Sequence, residues 1–164
     1  MSQQILVLCV EDEQEVRDAI VRDLEPFSGY FQVEAAEDAT AAQEVLGETL
    51  SKGGLLGLAL CDHLLPGETG VDFLVELNKD SRTAAARKVL ITGQARLEDT
   101  IRAVNEAGLD NYIAKPWKRE ELQEIVKKQL TEFVLANVED LLPYVNVLDG
   151  VRLLEEVRNR KSDT

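Results

Sequence analysis

The sequence predicts an α/β protein in which helices cover both faces of one parallel sheet. Short apolar runs alternate along the chain with segments whose apolar residues recur every three or four positions. Residues 5–10 and 55–61 are apolar throughout, which is typical of strands buried on both faces of a sheet. Five successive strand–helix pairs favour a doubly wound sheet with right-handed crossovers.

In the first half of the chain, strands are predicted at residues 5–10, 31–36 and 55–61. Apolar residues at helical spacing follow the first strand, and Pro26 marks the end of that helix. Asp38 is suited to cap the next helix, because its carboxylate can accept hydrogen bonds from the free N–H groups of the first turn.

The second half of the chain continues the alternation. Leu97, Ile101 and Val104 share one face of a helix that we expect to end at Gly108, because glycine is favoured just after a helix. The remaining elements are helices at residues 71–78 and 119–136 and strands at residues 88–92 and 109–114.

Charge and composition exclude several classes of protein. The chain has 164 residues and a formal net charge of −13, so its surface would repel the phosphates of nucleic acids and anionic membranes. No apolar stretch is long enough to span a bilayer, and no basic segment precedes the first apolar run. We therefore expect a cytoplasmic protein that binds neither nucleic acid nor membranes directly. Cys9 and Cys61 lie in apolar runs and are expected to be buried thiols.

Polar residues follow four of the predicted strands. Glu11 and Asp12 come after the first strand, Asp62 after the third, Thr92 at the end of the fourth and Lys115 after the fifth. Ligands of open parallel sheets bind beyond the carboxyl ends of the strands, so we expect these side chains to meet. Clustered carboxylates repel one another unless a cation joins them, and Mg²⁺ prefers oxygen ligands. A carboxylate can attack phosphorus, while a lysine and a hydroxyl group neutralise and bind the phosphoryl oxygens.

Four segments resemble the motifs of response regulator receiver domains from bacterial two-component systems. They are LCVEDE, CDHLLPG, LITG and AGLDNYIAKPW, at residues 8–13, 61–67, 90–93 and 107–117. Each motif alone is weak, but the four occur in the order of the family and each lies at a predicted strand end. The resemblance extends over residues 4–133.

This resemblance implies a flavodoxin-like (βα)5 fold with strand order 2-1-3-4-5. It implies that Asp62 accepts a phosphoryl group and that Thr92 and Lys115 contact that group. It also implies a Mg²⁺ site formed by the side chains of Glu11, Asp12 and Asp62 and the backbone carbonyl of Leu64.

The resemblance also implies how the chain would signal. Tyr112 matches the aromatic switch of the family, which moves inward when the threonine, here Thr92, approaches the phosphoryl group. This movement reshapes the face formed by the fourth helix, the fifth strand and the fifth helix. The phosphoryl donor would be a sensor histidine kinase or a phosphotransfer protein, and the face would bind a downstream effector protein. Core packing is the alternative role of Tyr112.

Residues 134–164 are predicted to form a helical extension of a receiver domain at residues 1–133. Its apolar residues recur mostly every three or four positions, and Pro143 and Gly150 interrupt them, which indicates two short helices or one kinked helix. The apolar stripe consists of Val138, Leu141, Leu142, Val145, Leu148, Val151, Leu154 and Val157. The stripe could fold back on the receiver, pair with a second copy or lead into an output domain. We favour a segment for self-association as a homodimer or for docking of a partner.

Three neighbours of the candidate site have alternative interpretations. His63, the only histidine, is interpreted as a loop residue and not a metal ligand, because Mg²⁺ prefers oxygen. Trp117 either packs at the start of the fifth helix or anchors a partner. Leu64 stands where some fast-dephosphorylating receivers have a polar residue. We therefore hypothesise a long-lived phosphoryl group, which rapid loss of phosphate from the isolated protein in Mg²⁺ would contradict.

Two other functions compete with the phosphorylation switch. A Mg²⁺-dependent phosphatase with an aspartyl nucleophile would carry that residue after the first strand, whereas Asp62 follows the third. A receiver-like scaffold that is never phosphorylated would not need the complete set of acids, threonine and lysine. Nucleotide binding lacks support because no glycine-rich loop follows the first strand. We predict a signalling protein and not an enzyme.

Overall fold

Five parallel strands form one sheet in the computed structural model, which describes residues 3–93 and 95–162. The strands are β1 (Ile5–Val10), β2 (Gln32–Ala36), β3 (Leu55–Cys61), β4 (Arg87–Thr92) and β5 (Asn111–Ala114). They are hydrogen-bonded in the order β2-β1-β3-β4-β5, which confirms the predicted fold class and topology.

Six α-helices accompany the sheet in the described part of the chain. They are α1 (Gln14–Asp23), α2 (Ala39–Ser51), α3 (Gly70–Lys79), α4 (Leu97–Arg102), α5 (Arg119–Asn137) and α6 (Gly150–Ser162). Asp38 caps α2 as predicted, since its carboxylate accepts from the N–H of Ala41 at 2.8 Å. Among these six helices, none is both long and apolar enough to cross a membrane.

Two hydrophobic clusters lie on opposite faces of the sheet. α1 and α5 cover one cluster, and α2 and α3 cover the other. Successive side chains of a strand point to opposite faces, and each cluster contains one of the two cysteines. Cys9 and Cys61 are both buried and unbridged, as predicted. Burial raises the pKa of the Cys9 thiol to about 12, so this thiol stays protonated and unreactive at neutral pH.

The apolar face predicted for the fourth helix is turned toward solvent. Leu97, Ile101 and Val104 are 73%, 49% and 53% exposed. The buried residues of this region are instead Ala103 and Ala107, which lie in a π-helical segment that continues α4. Helical spacing identified residues that share a face, but it could not show that the small alanines make the inward contact.

The predicted extension packs against the core formed by the sheet and its helices. Leu141, Tyr144, Leu148 and Leu153 are buried in the cluster that also contains α1 and α5. The ring of Tyr144 stacks on Phe31, which precedes β2, with ring centroids 5.3 Å apart. The helix α5 itself continues beyond residue 133 to Asn137, so no break in secondary structure separates the extension from the preceding residues.

The prediction of one continuous apolar stripe in the extension is wrong in part. Leu142, Val151 and Leu154 are exposed, whereas Leu153 is completely buried. A 3-10 turn at Leu142–Tyr144 separates α5 from α6. Such a turn changes the direction of the chain, so one helical period cannot be continued from α5 into α6.

Candidate functional site

The pairing of β1 with β3 places three acids side by side. Val10 pairs with Cys61 in the parallel register, and the N–H of Asp62 donates to the carbonyl of Val10 at 3.0 Å. Glu11 and Asp12, the next residues after β1, therefore lie beside Asp62. Ligand oxygens of the three carboxylates all lie within 4.8 Å of one another. The structure thus brings together acids that the sequence placed at the ends of two separate strands.

The donor set of this acidic group fits Mg²⁺. Glu11 and Asp62 are buried, whereas Asp12 is exposed. Oxygen ligands on one side and solvent on the other suit an ion that keeps several of its waters. The N–H of Leu64 donates to Asp62 at 3.3 Å, so the backbone that was predicted to supply a further ligand lies next to the acceptor.

Lys115 contacts two of the three acids. Its Nζ donates to Asp62 Oδ2 at 2.8 Å and forms an ion pair with Glu11. The residue follows β5 and precedes Pro116 through a cis peptide bond. The cation offsets the repulsion that would otherwise separate these carboxylates.

The charges of these groups follow from burial and from their partners. Burial acts to raise the pKa of Asp62, but hydrogen bonds from Lys115 and Thr92 outweigh it, so this pKa is lowered. At Glu11 burial dominates over the contact with Lys115, and the pKa is raised. The pKa of Lys115 is raised because the two carboxylates outweigh its partial burial. Asp62 is therefore held as a carboxylate, the form that can attack an electrophile.

Thr92 joins the acidic group to an exposed aromatic residue. Its side chain is buried at the end of β4 and is hydrogen-bonded to Asp62. The hydroxyl group of Tyr112 donates to the backbone carbonyl of Thr92 at 2.9 Å. Because Tyr112 is 37% exposed, core packing does not describe its role.

Two residues that shape the site were missed in the sequence. Arg17 of α1 donates to the carbonyls of Glu11 and Asp12 at 2.8 and 3.3 Å, which fixes the acidic loop. A Cβ atom at Gly70 would lie 1.9 Å from the carbonyl oxygen of Asp62, so α3 can begin this close to β3 only at a glycine. Gly70 was recognisable as a loop glycine, but no local pattern distinguishes Arg17 from other helix cations.

His63 and Trp117 lie outside the acidic group, and each contacts an acidic residue of a helix. His63 Nε2 lies 3.1 Å from Asp99 Oδ2 of α4, and the ring is not part of the acidic group. Trp117 packs against the core and donates from Nε1 to Asp23 of α1 at 2.8 Å. Trp117 therefore packs at the start of α5, the first of its two predicted roles.

Curated relatives of the chain are regulatory proteins. The chain is 34% identical over 142 residues to the phosphate regulon transcriptional regulatory protein PhoB of Escherichia coli strain K12. It is 36% identical over 125 residues to the hydrogenase transcriptional regulatory protein HoxA of Cupriavidus necator. These matches cover 87% and 76% of this chain but only 58% and 24% of the respective relatives, so the chain spans part of their length.

Solved structures share the fold. A CheY-like response regulator receiver domain from Methanospirillum hungatei JF-1 superposes with a TM-score of 0.63 at 32% identity, covering 80% of this chain and 97% of that one. The signal receiver domain of an HD domain-containing protein from Pseudomonas fluorescens Pf-5 superposes with a TM-score of 0.69 at 22% identity, covering 81% and 91%. The family model of the response regulator receiver domain matches residues 7–127. The chain therefore belongs to the family of response regulator receiver domains of two-component systems.

Proposed function

We propose that this chain is a phosphorylation switch whose acceptor is Asp62. The observation that carries the proposal is the meeting of three carboxylates within 4.8 Å, two of which are also bound by Lys115: Glu11 and, at 2.8 Å, Asp62. A sensor histidine kinase or a phosphotransfer protein would donate the phosphoryl group. The reaction depends on Mg²⁺ because the acceptor and the phosphoryl group are both anionic.

The transfer chemistry follows from the contacts of Asp62. One carboxylate oxygen attacks the phosphorus, the bond from phosphorus to the donor nitrogen breaks, and an acyl phosphate forms. The ammonium of Lys115 then neutralises the phosphoryl oxygens, and the hydroxyl of Thr92 donates to one of them. A bound Mg²⁺ would supply further positive charge, held by Glu11, Asp12, Asp62 and the backbone carbonyl of Leu64.

The output of the switch is a change in a binding surface. Movement of Thr92 toward the phosphoryl group would displace the carbonyl that Tyr112 now binds. The element preceding β5 exposes Leu97, Ile101 and Val104, an apolar surface suited to a downstream effector protein. The chain then acts by binding a partner and not by turnover of a substrate.

Phosphorylation by a small-molecule donor tests the proposal. The protein is incubated with acetyl phosphate and Mg²⁺, and its intact mass is measured. We expect the mass gain of one phosphoryl group, which disappears in Asp62→Asn and after chelation of Mg²⁺. Asp38→Asn, which changes only a helix cap, is the matched control and should still be modified. Multiple turnover of phosphate esters would instead support a phosphatase, and an unmodified wild-type protein would support a scaffold; either result overturns the proposal.

A further inference from the structure

A contact between His63 and Asp99 joins the acceptor strand to α4. His63 directly follows Asp62, and its Nε2 atom lies 3.1 Å from Asp99 Oδ2 in the first turn of α4. The imidazole side chain is 8% exposed. We propose that His63 is a positioning residue, whose polar contact with Asp99 holds α4 in the arrangement of the unphosphorylated protein. This inference rests on the proposed function, because it concerns how phosphorylation of Asp62 reaches α4.

The start of α4 is otherwise held weakly, although the π-helical segment that continues the helix is anchored by buried Ala103 and Ala107. None of its six residues is buried. At its carboxyl end Arg102 pairs with Asp72 of α3 at 2.6 Å, but both side chains are about two-fifths exposed. Exposed ion pairs contribute little to stability, because water and salt screen them. Of the described residues that pair with α4, His63 is the most deeply buried, so its contact is the least screened by solvent.

His63 is itself fixed by the backbone around it. The N–H of Gly70 donates to the carbonyl of His63 at 3.0 Å, where α3 begins. The start of α3 also lies close to the carbonyl of Asp62, where only a glycine fits. By contrast, α4 begins only five residues after Thr92, so a shift of Thr92 toward a phosphoryl group would move the start of α4 with it. The distance from His63 to Asp99 would then change, and the contact would favour only one of the two arrangements.

The contact with Asp99 is the only polar contact of the His63 ring among the described residues. His63 Nδ1 is buried and has no hydrogen-bond partner among the described residues. If Asp99 moved away, both ring nitrogens would be without a partner in a buried environment. Leaving a buried polar group unsatisfied is unfavourable, so the ring opposes any arrangement that separates it from Asp99.

Beryllofluoride, which mimics a phosphoryl group on an aspartate, tests this role in the presence of Mg²⁺. Removing a contact that favours the unmodified arrangement should make beryllofluoride bind about threefold to tenfold more tightly. We expect this gain in His63→Leu and in Asp99→Ala, and no further gain in the double variant. The fluorescence of Trp117, the only tryptophan, reports the titration. Arg152→Ala, which removes an ion pair between the extension and Glu132 of α5, is the control and should leave the affinity unchanged.

The outcomes separate a positioning role from a structural one. If His63 served only stability, His63→Leu would lower the melting temperature without tightening the binding of beryllofluoride, and that result would refute the inference. Additive gains in affinity in the double variant would refute it as well. His63→Gln, which keeps an N–H donor close to the position of Nε2, should restore the wild-type affinity. If His63→Leu fails to fold, Asp99→Ala carries the test, since Asp99 is partly exposed. Failure of the wild-type protein to bind beryllofluoride would count against the proposed function itself, whereas normal binding with unchanged variants would count against His63 alone.

Discussion

The hydroxyl group of Tyr112 donates a hydrogen bond to the backbone carbonyl of Thr92 at 2.9 Å, across the paired strands β4 and β5. In the register of these strands Tyr112 lies opposite Leu90, so the phenol reaches two residues along β4 toward the acidic group. The side chain of Thr92 in turn is hydrogen-bonded to the carboxylate of Asp62. A partly exposed aromatic ring is therefore connected to the candidate acceptor through one residue.

The Tyr112→Phe variant removes only the hydroxyl group of this connection. We expect the free energy of unfolding to fall by about 0.5–1.5 kcal/mol, the net contribution of one neutral hydrogen bond. Urea denaturation measures the change. Tyr30→Phe is the matched control, because Tyr30 is 44% exposed and its hydroxyl has no hydrogen bond to another described residue. An equal effect in both variants would show that the bond to Thr92 does not persist in solution.

Lys115→Met removes the cation shared by Glu11 and Asp62. Without Mg²⁺ the free energy of unfolding should fall by about 2–4 kcal/mol, because two largely buried carboxylates lose their partner. Added Mg²⁺ should raise the melting temperature more in this variant than in the wild type, because the ion is then the only cation among the acids.

Thermal denaturation with and without Mg²⁺ measures both effects of Lys115→Met. Lys52→Met is the control, because it breaks an exposed pair with Glu48 that should contribute less than about 0.5 kcal/mol. An ion effect in Lys115→Met that is no larger than in the wild type would place Mg²⁺ outside the acidic group.

The raised pKa of Glu11 predicts a pH dependence of stability in the presence of a chelator. In the unfolded chain Glu11 releases its proton near its ordinary pKa of 4.5, whereas burial in the folded protein raises that pKa. Between the two values the folded state binds more protons, so the contribution of Glu11 to stability declines as the pH rises, and the loss is complete above the folded pKa. Glu11→Gln should therefore lack this decline.

Urea denaturation as a function of pH, compared between wild type and variant, measures the contribution of Glu11. Asp62→Asn provides a control of opposite sign. The pKa of Asp62 is lowered, so its contribution is present above the ordinary pKa and is lost as the pH falls through the folded pKa. The difference in unfolding free energy between wild type and variant should change with pH in opposite directions for the two variants. A change in the same direction would contradict the assigned pKa shifts.

Leu153 and Leu154 are neighbours in α6 with opposite environments. Leu153→Ala should lower the free energy of unfolding by about 2–5 kcal/mol, because it opens a cavity in the core cluster. Leu154 is half exposed, so Leu154→Ala should cost less than about 1 kcal/mol. Urea denaturation of the two variants measures the difference. Similar small effects would mean that the extension does not stay packed on the receiver.

The strand ends and their polar residues were predictable because their signals are local. An apolar run identifies a buried strand, and the residue that follows it is the one that reaches the carboxyl edge of the sheet. Glu11, Asp12, Asp62, Thr92 and Lys115 each follow or end such a run, and the structure brings them together. The register was not predicted: the structure pairs Val10 with Cys61, and this pairing places the following acids side by side.

By itself, the sequence determined the strands, the acidic strand ends and the lysine after the fifth strand, because strand burial and strand-end chemistry are written in consecutive residues. The strand order was expected only from the resemblance to receiver domains, and the structure shows it. Only the tertiary structure decided that His63 contacts Asp99, that Arg17 fixes the acidic loop, and that α4 exposes its apolar face. It also decided that the extension buries Leu153 and not Leu154. These features join residues whose separation along the chain carries no periodic signal, so they depend on how the helices dock and on where each turn redirects the chain.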